Sequence, residues 1–120
     1  MSIAMWIINI ITALVFLAAG TMKVSRPKAK IVESGMGWAA DMSSGAVKAI
    51  GALEVIGAVG LALPITTGIA QVLTPIAAVG LAIIMIGAVV VHARRKESFA
   101  PAAVLLMLSI VSAIVAFIAI

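Results

Sequence analysis

Glu54 is the residue of this sequence that packing alone explains least well. It lies in the segment 51–64, which is otherwise composed of glycine, proline and apolar residues, and no Lys, Arg or Asp occurs between Lys48 and His92. A charge near the middle of a bilayer costs roughly 2.5–3.5 kcal/mol on insertion scales. Such an acid usually faces other helices, takes up a proton or pairs with a distant cation. Glu54 is therefore the first candidate for chemistry or for a buried polar contact.

Four other polar residues could act together with Glu54. The rise of about 1.5 Å per helical residue places Thr12 and Ser109 near the level of Glu54, so their hydroxyls could hydrogen-bond its carboxyl group. Lys23 is expected to extend its ammonium to the lipid headgroups, and it would reach Glu54 only if both side chains stretch toward each other. His92 is predicted to be an interfacial residue at the end of a helix rather than a ligand or a base.

Three interpretations of Glu54 remain open. It could be a protonated, hydrogen-bonded core residue that fixes helix register. It could hold the head group of a small ligand such as a quinone, or handle protons. It could also meet a buried cation of a partner subunit.

The composition limits the chemistry that these residues can perform. The chain has no cysteine and one histidine, which excludes disulfides, thiol redox chemistry and a bis-histidine haem site built by one chain. One His with one Glu is too few for a metal site within a single chain. No phosphate-binding loop or nucleophile elbow is present. We predict no metal and no catalytic residue, with a quinone as the one candidate cofactor, and expect that the chain alone is not an enzyme.

The bulk composition predicts an integral membrane protein. Of the 120 residues, 65% are hydrophobic and 10% are charged, and the mean hydropathy is +1.36. A soluble domain is about 45–50% apolar and about 25% charged. The length allows one domain, residues 1–120.

Hydrophobic runs and turn signals divide the chain into four predicted spanning helices. These are residues 3–22, 45–63, 70–92 and 100–120, joined on one side by connectors 23–44 and 93–99. We expect the first run to be a retained helix rather than a signal peptide, because no basic segment precedes it. The first connector is predicted to contain a short interfacial helix with Trp38 at headgroup depth. The predicted fold is an all-α, integral membrane four-helix bundle.

Basic residues are all on one side of this predicted bundle. All eight Lys and Arg residues fall in or beside the connectors 23–44 and 93–99, and none falls on the opposite side. The positive-inside rule then places the connectors in the cytoplasm and both termini outside, in the plasma (inner) membrane. This topological role is preferred over binding to nucleic acid, and attraction to anionic lipid would follow from it.

Several motifs resemble those of the DoxX-like family of small membrane proteins. They are Ala19-Gly-Thr-Met-Lys23, Gly51-Ala-Leu-Glu-Val-Ile-Gly-Ala-Val-Gly-Leu-Ala-Leu-Pro64, Gly87-Ala-Val-Val-Val-His-Ala-Arg-Arg95 and Met36-Gly-Trp38. The resemblance implies a four-helix membrane bundle whose matching polar residues are Lys23, Glu54 and His92, with Trp38 in the connector. Relatives include small subunits associated with quinol oxidase or thiosulfate:quinone oxidoreductase systems, and proteins that assist membrane-receptor assembly. Cysteine-based redox chemistry, invoked for some relatives, has no residues here.

Three functional hypotheses follow. The first is an accessory or scaffold subunit that holds a membrane protein partner, for example in a respiratory, quinone-linked complex. The second is a quinone- or lipophile-binding protein of a redox pathway, in which Glu54 and nearby hydroxyls hold the head group. The third is a small proton-coupled transporter formed by homo-oligomerisation.

Overall fold

Four long helices and two short ones make up the molecule. The computed structural model describes residues 2–33 and 36–119, with Asp41 described by its backbone only, and no strand occurs among these residues. In chain order the helices are α1 (Ile3–Ser25), α2 (Lys28–Glu33), a 3₁₀ helix (Gly37–Asp41), α3 (Ser44–Thr67), α4 (Leu73–Arg94) and α5 (Ala100–Ala119). The four long helices are long and apolar enough to cross a membrane. The all-α membrane bundle predicted from the sequence is confirmed; the predicted end of the last span, Ile120, lies outside the described residues.

Serine side chains cap two of the spanning helices. The hydroxyl of Ser2 accepts a hydrogen bond from the amide of Met5 at 3.3 Å, and that of Ser43 accepts from the amide of Ala46 at 3.1 Å. Each serine has an extended backbone and satisfies one of the unpaired amides of a helix N-terminus. These caps define where α1 and α3 begin.

Helix α1 is longer than the sequence pattern predicts. It continues past Met22 to Ser25, so Lys23 lies in its last turn rather than in a connector. The ammonium of Lys48 stabilises this end by donating to the carbonyl groups of Lys23, Val24 and Arg26 at 3.4, 3.0 and 2.9 Å. A cation at a helix C-terminus also interacts favourably with the helix dipole.

Helix α3 extends past Pro64, although the second predicted span ends at residue 63. The helix continues through the proline to Thr67 and is closed by Gly68, whose left-handed backbone (φ 73°) lets its amide donate to the carbonyl of Pro64. Hydroxyls of Thr66 and Thr67 donate to carbonyl groups in the preceding turn. Each hydroxyl thereby satisfies its own proton within the helix, as a polar side chain in an apolar environment requires.

The spanning helices form a closed square. Around it, α1 lies next to α3, α3 next to α4, α4 next to α5, and α5 next to α1. All four helices contribute to one buried apolar cluster of Ala13, Phe16, Ala58, Leu61, Ala78, Leu81, Met85 and Ala113. The alternating helix direction brings residues 26–33, 36–43 and 95–99 to one end of the square, called the connector end below.

A second apolar cluster closes the connector end. It consists of Ile31 from α2, Trp38 and Ala39 from the 3₁₀ helix, and Val47 from α3. Ile31 and Ala39 are fully buried and Trp38 is 9% exposed. The first connector therefore packs onto the bundle, and the Trp38 ring, expected at headgroup depth, lies against protein.

Candidate functional site

A buried ion pair joins α1 to α3 beneath the connector end. The Nζ atom of Lys23 lies 2.5 Å from Oε1 of Glu54, and the two side chains are 8% and 0% exposed. The expectation that Lys23 extends to the headgroups is therefore wrong. The interpretation that places the cation on a partner subunit is not needed, because the chain supplies its own.

The directions of the helices explain how these two residues meet. Side chains of an α-helix lean toward its N-terminus. Because α1 and α3 are antiparallel, Lys23 leans into the bundle and Glu54 leans toward the connector end. Each long side chain thus approaches the other.

A close contact between helix backbones holds the pair in place. Gly20 and Gly51 precede Lys23 and Glu54 by one turn of their respective helices. A Cβ atom on Gly51 would lie 2.8 Å from the carbonyl oxygen of Gly20 and 2.7 Å from Cβ of Lys23, and one on Gly20 would lie 2.6 Å from the carbonyl oxygen of Gly51. Small residues permit such approaches in membrane bundles. The two glycines therefore fix the distance that the Lys23–Glu54 contact spans.

Trp38 covers the ion pair from the side of the first connector. Lys23 Nζ lies 5.6 Å from the centroid of the Trp38 ring, within the range of a cation–π interaction. The edge-to-face contact of Trp38 with His92 has a centroid distance of 6.4 Å and an interplanar angle of 80°. The ring thereby links the ion pair to the end of α4.

His92 belongs to a second, more accessible group at the α4–α5 connector. Its Nδ1 atom lies 2.8 Å from Oε1 of Glu97, and Nε of Arg95 lies 3.4 Å from the same oxygen. The side chains of His92 and Glu97 are 22% and 32% exposed. The structure thus brings together Lys23, Glu54, Trp38 and His92, although their role as a functional site stays a prediction.

The two hydroxyls predicted to bind Glu54 do not do so. Thr12 donates to the carbonyl of Ile8 at 2.8 Å, and Ser109 donates to that of Leu105 at 2.8 Å. A hydroxyl has one proton to donate, and both are used within their own helices. Thr12 instead accepts a buried 3.0 Å hydrogen bond from Ser112, which links α1 to α5.

One atom of the buried pair retains hydrogen-bonding capacity. Oε2 of Glu54 is buried and has no hydrogen-bond partner within the described part of the chain. A carboxylate oxygen there could accept one further bond, and an ammonium has three donors, of which one meets Oε1. The arrangement can therefore hold a small polar group or serve as a structural contact. In residues 2–33 and 36–119, no group of three or more His, Cys, Asp and Glu side chains is arranged to hold a metal ion.

Three participants were missed by sequence reasoning. Lys48, Glu97 and Ser112 make contacts that depend on helix ends and on which helices are neighbours. Glu97 had a local signal, since it follows His92 by five residues across a short turn, the spacing at which its carboxylate can fold back. For Lys48 the signal was its position near the start of α3, six residues before Glu54. A cation there lies opposite the C-terminal end of the antiparallel helix α1.

Comparison with known proteins agrees with the architecture. No curated protein and no solved structure matches this chain. The model of the DoxX-like family matches residues 7–116, which include all of α3 and α4 and most of α1 and α5. The chain therefore belongs to the DoxX-like family.

Proposed function

We propose that this protein is an accessory subunit that holds a membrane protein partner in the bilayer, rather than an enzyme in its own right. The observation that carries the proposal is the internal pairing of Glu54 with Lys23. The buried acid is already engaged in joining α1 to α3 beside the Gly20–Gly51 contact. The interior thus serves the rigidity of the bundle, and its outer faces are available to a partner.

Each spanning helix presents large apolar side chains outward. Leu14 of α1, Ile56 of α3, Ile83 of α4 and Met107 of α5 are 60%, 67%, 64% and 61% exposed. In a membrane such side chains contact either lipid or another protein. These four positions can therefore report which face a partner covers.

Site-specific photo-crosslinking in cells at native expression would test the proposal. A photoreactive amino acid is placed singly at Leu14, Ile56, Ile83 or Met107. We expect one partner protein to be captured from one face, or from two adjacent faces, with the remaining positions serving as internal controls. Adducts with only lipid or with only this chain at all four positions would contradict an accessory role.

A second function, binding of a lipophile such as a quinone, is favoured by Oε2 of Glu54 because this buried atom could accept a hydrogen bond from a ligand head group. Purified protein should then yield a stoichiometric quinone on solvent extraction. Glu54→Gln should lose it, and so should the double variant Lys23→Met/Glu54→Leu, which removes both charges while retaining side-chain volume. Retention of quinone by the folded double variant would exclude this site. The transporter hypothesis is less favoured, since Glu54 has its cation within one chain.

We also propose that the connectors are cytoplasmic and that both termini and the α3–α4 turn are outside the plasma (inner) membrane. The distribution of the eight basic residues supports this orientation. Because the chain has no cysteine, Gln71→Cys and Ser98→Cys each create a unique label site. A membrane-impermeant maleimide should label the Gln71→Cys variant in intact cells and the Ser98→Cys variant only after permeabilisation. The reverse pattern would invert the orientation.

A further inference from the structure

A groove on the outward face of α1 combines an apolar floor with a cationic end. It has a volume of about 470 Å³ and is lined by Leu14, Leu17, Ala18, Thr21, Met22, Ser25 and Arg26. We call it the α1 groove. Its apolar residues lie toward the middle of the helix, and its hydroxyl and guanidinium groups lie mostly toward the connector end.

The length of the α1 groove matches one leaflet of a bilayer. Leu14 and Ser25 are eleven residues apart on one continuous helix, which corresponds to ~17 Å at the rise of an α-helix. Half of a hydrocarbon core is about 15 Å thick. A lipid whose head group lies at Ser25 and Arg26 would therefore extend its acyl chain along Ala18 and Leu17 to Leu14.

The charges at the end of the α1 groove favour an anion. Arg26 is exposed and forms no ion pair among the described residues, and Lys28 and Lys30 follow on α2. The carbonyl groups at the end of α1 would repel an anion, but the ammonium of Lys48 covers three of them. Glu33, at the far end of α2, is the nearest acid in sequence. The mouth of the groove is therefore cationic.

We propose that the α1 groove binds an anionic phospholipid. The guanidinium of Arg26 would meet the lipid phosphate with two parallel N–H donors, and the hydroxyl of Ser25 would donate a further bond. The apolar floor accommodates the acyl chain of a lipid. A free phosphate has no apolar part that could contact this floor. This site is independent of the Lys23–Glu54 pair and of any protein partner.

Native mass spectrometry of the full chain with added lipid tests the proposal. The probes are phosphatidylglycerol and phosphatidylcholine with identical acyl chains. We expect the wild type to prefer phosphatidylglycerol, and Arg26→Gln to weaken that preference about ten-fold, since a paired hydrogen bond from Arg to a phosphate is stronger than a single charge-assisted one. Lys96→Gln, which removes an exposed cation from the other connector at the same end, is the matched control and should leave the preference unchanged.

A second variant examines the acyl part of the α1 groove. Ala18→Phe places a ring on the floor of the groove and should weaken binding of both lipids, while excess inorganic phosphate should not displace phosphatidylglycerol. Equal losses for the Arg26→Gln and Lys96→Gln variants would overturn the proposal in favour of diffuse attraction to the basic end. Full displacement by phosphate, with no effect of Ala18→Phe, would instead indicate a simple anion site and would also overturn it. Unchanged thermal unfolding of each variant ensures that folded protein is compared.

Discussion

The two ends of the bundle are held together by different chemistry. At the connector end, charged groups join α1 to α3, through Lys23 with Glu54 and through Lys48 with the end of α1. His92 of α4 also pairs there with Glu97 of the α4–α5 connector. At the opposite end, the contacts are neutral. The hydroxyl of Thr74 in α4 donates to the carbonyl of Leu61 in α3 at 3.4 Å, and Gly68 caps α3.

This difference shows where a membrane bundle can use charge. Removing charged groups from water is expensive, and the attraction between them offsets that cost only with good geometry. At the connector end, the second apolar cluster and the Trp38 ring cover the ion pair, and the two side chains lean toward each other. Elsewhere in the bundle, hydroxyl groups donate either to a carbonyl group of their own helix or, through a single hydrogen bond, to a neighbouring helix. Four predictions test this contrast, in order of decreasing effect.

Reversing the charge of Glu54 should have the largest effect. Glu54→Lys places a second ammonium against Lys23 without any countercharge, and breaking a buried pair already costs about 3–5 kcal/mol. We expect little folded protein in mild detergent, measured as monodisperse yield and as the free energy of unfolding. The double variant Lys23→Glu/Glu54→Lys restores opposite charges and should recover much of the loss. A folded single variant with wild-type stability would mean that the pair does not hold α1 to α3.

Neutralising Glu54 should have the next largest effect. Glu54→Gln leaves the Lys23 ammonium buried without a countercharge, so we expect a loss of about 3–5 kcal/mol in the free energy of unfolding. If Glu54 were instead the protonated, hydrogen-bonded core residue considered in the sequence analysis, the neutral Gln side chain would replace it without loss of stability. Lys23→Met/Glu54→Leu removes both charges and should be close to wild type or more stable. A tolerated Glu54→Gln would favour the neutral core residue over the ion pair.

The variant Gly51→Ala adds one methyl group at the α1–α3 contact. It should lower the free energy of unfolding by less than either substitution of Glu54. A Cβ on Gly51 would meet the Gly20 carbonyl oxygen and Lys23 Cβ, and such overpacking typically costs about 1–3 kcal/mol. Gly87→Ala is the matched control, since a Cβ there has nothing within 4 Å. Thermal unfolding in detergent should separate the two variants. Equal behaviour would show that α1 and α3 can move apart without loss.

The sequence predicts the architecture well because composition and length determine it. Four apolar runs separated by Pro, Gly and charged turns leave few alternatives to a spanning bundle, and the singular position of Glu54 identifies the buried acid. Its partner was harder to predict. Lys23 was expected at the headgroups because the apolar run ends at Met22, whereas α1 continues to Ser25. The side chains of two antiparallel helices also lean toward each other, which the apolar pattern does not show.

Contacts across the bundle were less predictable for a related reason. Thr12 and Ser109 were predicted to lie at the level of Glu54, but an estimate of depth does not tell which face of a helix a hydroxyl occupies or whether its proton is already used. Ser112, one turn further along α5, meets Thr12 instead. Likewise, the second span was predicted to end at residue 63, whereas α3 continues through Pro64 to Thr67. Proline removes one amide donor, and the left-handed Gly68 that closes the helix lies four residues further on.

The Thr12–Ser112 hydrogen bond should contribute the least of the contacts tested. Hydrogen bonds between membrane helices average about 0.6 kcal/mol in double-mutant cycles, because the unfolded chain in the membrane also finds partners. The cycle consists of Thr12→Val, Ser112→Ala and their combination, with the free energy of unfolding measured in mixed micelles. Ser109→Ala is the control, since the Ser109 hydroxyl donates its proton to Leu105 within α5 and should show no coupling to Thr12. A Thr12–Ser112 coupling as large as the cost of Glu54→Gln would remove the contrast, because a neutral contact between helices would then stabilise the bundle as strongly as the charged one.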